Sequence, residues 1–338
     1  MKRLLRCLRP APSFEEPSPG GTGPRKGADD VRGRQAFGCD TLPIEQNPDK
    51  ERVKQMCKSV QGRKVRRVYE LGDKIGSGGF ATVVGALHKG SGKEYACKII
   101  KLPKAGCREP GELMSRDQVL REIHIASALQ HDNVVRLKEF FLSKKKAYVI
   151  MEMMFGGSLV NYIVKKGPLS EEEARLVFAQ VLQGISYLHK KNVIHRDVKL
   201  ENILLAFPDD LRNVKLTDFG LSKVCQNVTG TRVGTPEYAA PDMYQSGDNR
   251  QFYGKSVDMW AAGVTLYCML AGKQPFRGGG ADSEVMLQRI VHADYEFDGP
   301  LWDGISESAK DLISSLLVCD SNKRLTAEAA LKHPWLAR

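Results

Sequence analysis

Val193-Ile-His-Arg-Asp-Val-Lys-Leu-Glu-Asn-Ile-Leu-Leu205 is followed, after a short connection, by Val214-Lys-Leu-Thr-Asp-Phe-Gly220. Each segment sets a polar triplet directly against a short apolar run of strand-forming residues. Acidic groups placed at strand ends, rather than along a strand face, project into the crevice that the strands border. Asp197 and Asp218 are therefore expected together at one cleft.

The chain around this core divides in two. From Tyr69 to Met151, β-rich runs are broken by turn residues: YELGDKI, ATVVGAL, KEYACKII after the HKGSG turn, VVRLKEFF and AYVIME. These read as an antiparallel sheet. One helical pattern interrupts them between Leu113 and Leu129, with Val119, Leu120, Ile123, Ala126 and Leu129 at steps of three and four. Beyond Phe155 the pattern turns mostly helical. Ser170 and Glu173 form a capping box, and Ala174, Val177, Phe178, Val181, Leu182, Ile185 and Leu188 make one apolar stripe. VDMWAAGVTLYCMLAG is apolar nearly all round, which marks a helix buried at the centre of the larger lobe. The expected fold is α+β and bilobal: a small antiparallel-sheet lobe with one helix over residues 69–151, a hinge over 152–157, and a mainly helical lobe over 158–338.

At 338 residues, with 42% apolar and 27% charged residues, the chain has an ordinary globular composition. Its longest apolar run, Val257 to Ala271, contains Asp258 and is shorter than the ~20 residues a membrane span needs. The net charge of +11 is concentrated in residues 1–68, which hold 16 basic and 8 acidic residues and seven of the sixteen prolines. Those residues read as a disordered basic extension, a solvated tail rather than a transit peptide. Because the excess charge sits in the tail, it gives no ground for expecting a nucleic-acid partner. The eight cysteines contain no Cys-x-x-Cys pair, so a reducing compartment is expected, the cytoplasm with the nucleus open.

Two further signals lie in the small lobe. Ile75-Gly-Ser-Gly-Gly-Phe-Ala-Thr-Val83 places glycines at a hairpin between strands, where backbone N–H groups can approach phosphate oxygens. Alone, such a hairpin is as easily structural. A strand rather than a helix follows it, which argues against a dinucleotide fingerprint. The next strand ends in Tyr95-Ala-Cys-Lys98, and an ammonium in an apolar strand needs an anion.

With the glycine hairpin, strand lysine, HRD-x-x-x-x-N and DFG in this order, followed by an APE-like segment, the sequence resembles the protein-kinase family from Tyr69 to about Leu336. The resemblance implies roles by position. Lys98 would hold the α- and β-phosphates of ATP, with Glu122 in LREIHIA as its ion-pair partner. Asp197 would orient or accept the substrate hydroxyl's proton, and Lys199 would stabilise charge moving onto the γ-phosphate. Asn202 and Asp218 would supply oxygen ligands to Mg²⁺. The nucleotide would lie against the loop residues Ile75, Gly76, Ser77, Gly78, Gly79, Phe80, Ala81, Thr82 and Val83. Met151 would gate the back of the pocket and the backbones of Glu152 and Met154 would meet the adenine edge, with Val83, Ala96 and Leu204 sandwiching the ring. Asp258 resembles the carboxylate that anchors the catalytic-loop backbone, and Arg324 the arginine paired with the APE acid. That motif reads Ala240-Pro-Asp242 here, with a shorter side chain than the family's glutamate. Ala81 replaces the third loop glycine.

Lys199 and the Gly-Thr-Pro-Glu-Tyr238 segment with Thr235 match serine/threonine kinases, and Leu221 after DFG fits a serine preference. The closing segment NKRLTAEAALKHPWL looks most like the calcium/calmodulin-dependent kinase group. No basic amphipathic helix follows it and no calcium loop occurs, so direct calmodulin binding is not expected. Glu201 and Glu237 fall where relatives read an arginine before the acceptor. Ser158 replaces a glutamate that many relatives carry, so a weak basic preference is expected. Thr231, four residues before Thr235, is the expected phosphosite of an upstream activating kinase, read by Arg196 and Lys223. His195 reads as a packed structural residue and Cys225 as a plain small one. The expected partners are protein substrates with Ser or Thr acceptors. The alternative is a catalytically inactive scaffold of the same fold, from which loss of Lys98, Asp197 or Asp218 would be expected.

Overall fold

A computed structural model describes residues 64–77, 81–102, 123, 126–143, 145–218, 223–224, 235–244, 254–276 and 283–337. A helical turn, α1 (Val65–Val68), leads into β1 (Tyr69–Ser77), β2 (Ala81–His88) and β3 (Glu94–Lys101), with β4 (Leu137–Leu142) and β5 (Lys146–Glu152) completing an antiparallel sheet of order β1-β2-β3-β5-β4. Alternation gives the sheet two apolar faces. One carries Ile100, Phe140, Ala147 and Val149 with Ile123, and the other carries Tyr69, Ala86, Cys97, Phe141 and Ile150. Val65 is buried in the second cluster. Within the stretch read as extension, Val65–Val68 thus form a helical turn whose Val65 fills an apolar socket on the sheet. Residues 1–63 of the expected extension lie outside the described residues, as does most of the helix expected over 113–129. Ile123 and Ala126–Ala128 are helical.

The run VVRLKEFF also divides differently from its sequence reading. The strand starts at Leu137, because Val134 bridges Leu216 in the other lobe and the Val135 N–H donates to Leu216 O at 2.9 Å. Gly184 makes this contact possible, since a Cβ there would stand 2.9 Å from Asn133 O.

After the hinge come β6 (Gly157–Ser158), α2 (Leu159–Lys166) and α3 (Glu171–Lys190). The capping box at the head of α3 is present. Ser170 Oγ accepts from the Glu173 N–H at 3.2 Å and Glu173 Oε2 accepts from the Ser170 N–H at 2.9 Å. All seven residues of the apolar stripe are buried. At ~1.5–3 kcal/mol per large buried side chain, against ~1 kcal/mol for a cap, packing and not capping stabilises this helix. Then follow β7 (Val193–Ile194), β8 (Ile203–Leu205), β9 (Val214–Leu216) and β10 (Lys223–Val224). They form the pairs β7–β10 and β6–β8–β9, so the polar triplets of the two defining segments fall at strand ends. α4 (Ser256–Ala271) is buried along its length from Val257. α5 (Ser283–Val291), α6 (Pro300–Asp303), α7 (Glu307–Leu316) and α8 (Ala327–Ala330) complete the lobe. A Cβ on Gly263 would lie 2.9 Å from Leu316 Cβ, so α4 and α7 meet where a larger residue would hold them apart. No described helix is long and apolar enough to cross a membrane.

Candidate active site

Strand register decides what faces the cleft. Val83 pairs with Lys98, Lys98 with Val149 and Ala96 with Met151, so these five side chains share one face of the sheet. Across the gap stands Leu204 of β8. The space between is a cleft of about 1030 Å³. It is lined by Ile75, Gly76, Ala81, Val83, Ala96 and Lys98 from the small lobe and by Met151, Glu152 and Met154 from the hinge. Asp197, Lys199, Glu201, Asn202, Leu204, Asp218, Thr235 and Glu237 line it from the large lobe. Thr82, expected beside the nucleotide, is not brought there. It lies opposite Ile99, on the other face of the sheet, and is exposed. Ser77 pairs with Thr82 on the backbone, and its side chain lies outside the described residues. Gly78, Gly79, Phe80, Glu122, Leu221, Cys225 and Thr231 lie outside the described residues, as does the Lys223 side chain.

Within the cleft, described charged groups from both lobes meet. Lys98 Nζ meets Asp218 Oδ1 at 2.9 Å. Lys199 Nζ meets Asp197 Oδ2 at 2.8 Å and donates to Thr235 Oγ1 at 2.6 Å, and the Thr235 hydroxyl in turn donates to Asp197 Oδ1 at 3.2 Å. Asn202 spends its amide hydrogens on Asp197, reaching the backbone O at 2.7 Å and Oδ2 at 2.9 Å. Its Oδ1 remains as an acceptor, and Asn202 and the Asp218 carboxylate, both lining the cleft, carry hard oxygens of the kind Mg²⁺ takes.

The loop carrying Asp197 is held from beneath. Arg196 and Asp218 have φ of 71° and 65°, left-handed values that cost a side-chain-bearing residue ~1–3 kcal/mol. Asp258, fully buried at the head of α4, accepts from the backbone N–H of His195 at 2.9 Å and of Arg196 at 2.7 Å. It also accepts from His189 Nε2 at 2.9 Å. Burial pushes the Asp258 carboxyl up, but the hydrogen bond and charge of His189, with the neighbouring His195 and the Arg196 N–H, outweigh it and leave it below the usual carboxylate value. His195 is buried and packs its Nε2 3.0 Å from Thr217 O, a structural position. Arg324 Nη2 donates to Asp242 Oδ2 at 2.8 Å, so the shorter acid of the APE-like motif still reaches its arginine.

Glu201 and Glu237 line the cleft, and each has a buried Oε2 with no hydrogen-bond partner among the described residues. Burial pushes the Glu201 carboxyl up, and the nearby Asp197 and Glu237 carboxylates add to the rise against the opposing pull of Lys199. The sequence reading did not single out His189, Val135 or Lys215. His189 lies on the buried stripe of an amphipathic helix, where nothing in the spacing separates a ligand of Asp258 from a packed residue.

The protein kinase domain family matches residues 69–336. The chain is 40% identical over 278 residues to calcium/calmodulin-dependent protein kinase type 1B of Rattus norvegicus, covering 82% of this chain and 77% of that one. It is 39% identical over 276 residues to calcium/calmodulin-dependent protein kinase type 1 of Caenorhabditis briggsae, covering 81% and 74%. Against myosin light chain kinase A of Dictyostelium discoideum the identity is 38% over 274 residues, covering 80% and 89%. The cleft, its paired charges and these likenesses agree: the chain belongs to the protein kinase family and is an ATP-dependent protein serine/threonine kinase similar to the calcium/calmodulin-dependent kinases.

Proposed function

We propose that the charged residues of the cleft act in the roles their positions imply, transferring the ATP γ-phosphoryl group to serine or threonine with a preference for a basic residue before the acceptor. In this reading the acceptor hydroxyl approaches Asp197 where the Thr235 hydroxyl now donates to it. Asp197 orients that hydroxyl and takes its proton as the oxygen–phosphorus bond forms and the bond to the ADP oxygen breaks. Lys199, already on Asp197, offers its ammonium to the charge developing on the transferred group. Lys98 leaves Asp218 for the phosphates, and Asp218 with Asn202 holds Mg²⁺, which neutralises phosphate charge when bound. Ala96, Val83 and Leu204 exclude water around the adenine, and Met151 closes the back of its pocket.

The observation that carries the substrate preference is the pair of buried, unpartnered Oε2 atoms of Glu201 and Glu237. Buried acceptors without donors are costly, and a guanidinium carries five donors in a fixed fork. Ser158, which lines the same cleft, adds no charge, so the preference is weak. We further assign activation to phosphorylation of Thr231 by an upstream kinase, in the cytoplasm or the nucleus, with the kinase domain over 69–338. An arrayed-peptide phosphorylation assay with Mg-ATP, with Asp197→Ala as control, tests the reading. Arginine-containing serine peptides are expected to be modified best by the wild type alone. Modification of all peptides equally, or by the control, refutes it. The scaffold alternative predicts no transfer by either protein.

A further inference from the structure

Glu152 ends β5, where its backbone meets the nucleotide pocket, but its carboxylate turns elsewhere. Lys215 Nζ contacts Glu152 Oε1 and Oε2 at 2.9 Å each, and the Arg136 N–H donates to Oε1 at 2.7 Å. The Glu152 N–H completes the exchange by donating to Arg136 O at 3.0 Å. Lys215 sits in β9, three residues before Asp218. It lies directly opposite Leu204 in the β8–β9 pair, so it rises on the same face as the side chain under the nucleotide pocket. One carboxylate thus joins the small lobe, the hinge and the strand that delivers Asp218. Both partners are partly shielded, with side chains 21% and 31% exposed. β9 is itself pinned: Asn133 Nδ2 donates to Val214 O at 3.0 Å and the Thr217 N–H donates to Asn202 O at 2.9 Å.

The other charge contact between the lobes described above, Lys98 with Asp218, is a direct one and must open for Lys98 to reach phosphate and Asp218 a cation. The backbone bond between Val135 and Leu216 already holds β9 beside the small lobe, and the Glu152–Lys215 pair adds to it a charge contact that need not open at that step. We propose that the Glu152–Lys215 pair is a latch that keeps the adenine-binding backbone and the Asp218 strand in register while the Lys98–Asp218 contact is exchanged, which makes Lys215 a positioning residue for nucleotide binding. The inference rests on reading the cleft as a nucleotide site. It predicts an effect on nucleotide affinity and not on peptide affinity, because Lys215 touches neither the acceptor groups nor Glu201 and Glu237.

The test uses the full chain. Lys215→Met keeps most of the stem and removes the charge, Lys215→Arg keeps the charge, and Glu152→Gln keeps the backbone. Each is titrated with a fluorescent ATP analogue and assayed for KM of ATP and of a serine peptide, with thermal unfolding alongside. A partly shielded ion pair is worth ~1 kcal/mol, so Lys215→Met is expected to weaken nucleotide affinity about fivefold and leave the peptide KM within twofold. Lys215→Arg restores affinity, and Glu152→Gln/Lys215→Met binds no worse than the weaker single variant, since the pair is lost once. Unchanged or tighter nucleotide binding by Lys215→Met, a lowered unfolding temperature as its sole effect, or multiplicative losses in the double variant overturns the latch. Failure of the wild type to bind the analogue overturns the nucleotide reading and the latch together, whereas wild-type binding with an indifferent Lys215→Met overturns the latch alone.

Discussion

Asp258→Asn changes one atom and no volume, yet it strikes the support of the catalytic loop. Asp258 accepts three hydrogen bonds through two oxygens, from His189 Nε2 and the His195 N–H on Oδ2 and from the Arg196 N–H on Oδ1. An amide has one acceptor oxygen, so in either orientation at least one buried donor faces an NH₂ group. An unsatisfied buried donor costs ~1–3 kcal/mol. The donor most exposed to this loss is Arg196 N–H, whose residue already sits at φ 71°. A cost of ~2 kcal/mol set against a factor of ten per 1.36 kcal/mol predicts that kcat falls about 30-fold as Asp197 leaves its position. KM for ATP stays within twofold, because the adenine-facing residues lie on β2, β3, β8 and the hinge. The unfolding temperature drops by ~4–8 °C for a domain of this size. Steady-state kinetics on a serine peptide and thermal unfolding of the same preparation measure all three. A kcat within threefold of wild type would show that the loop holds its strained geometry without Asp258 and would refute the argument.

The same carboxylate gives a pH signature. With its folded pKa held below the unfolded value, Asp258 contributes stability that is present above pH ~3.9 and lost as pH falls through the depressed folded value. The urea-unfolding deficit of Asp258→Asn should therefore be largest near pH 7 and shrink toward pH 3; a constant deficit would contradict it. Glu201 has the opposite sign. Its carboxyl is raised by burial, so its charge opposes folding at pH 7, and Glu201→Gln is expected to stabilise the protein there by a margin that fades toward pH ~4.3. The same variant is expected to lose discrimination for arginine peptides, read from kcat/KM ratios. Gly263→Val should cost ~1–3 kcal/mol by forcing α4 from Leu316 and Leu317, and an unchanged urea midpoint would show that the contact relaxes freely.

The helices of the large lobe were legible because their signals are local and periodic. The Ser170–Glu173 box and the stripe from Ala174 to Leu188 settle α3, and the near-continuous apolar run from Val257 settles α4. The charged groups of the cleft were legible for a different reason, since polar triplets abutting strand runs fix a position at a strand end. Contacts whose partner lies far along the chain were not legible. Val134–Arg136 looks like strand, but its hydrogen bonds go to Leu216 and the hinge, and only the folded chain shows that competition. Thr82 was misplaced because a loop motif was read as a unit, whereas a strand turns alternate residues to opposite faces. Lys215 and His189 sit on ordinary-looking elements, and their partners Glu152 and Asp258 are 63 and 69 residues away.

The central claim is that Lys98, Asp197 and Asp218 work on one phosphoryl group. Transfer of radiolabel from the γ-position of Mg-ATP to a serine peptide, measured in a single turnover for wild type, Lys98→Met, Asp197→Ala and Asp218→Ala, tests it most directly. Each variant is expected to fold and to lose at least about a hundredfold in rate, the lower range for a positioned acid–base or charge-stabilising group. Transfer at the wild-type rate by any one of the three would contradict the account.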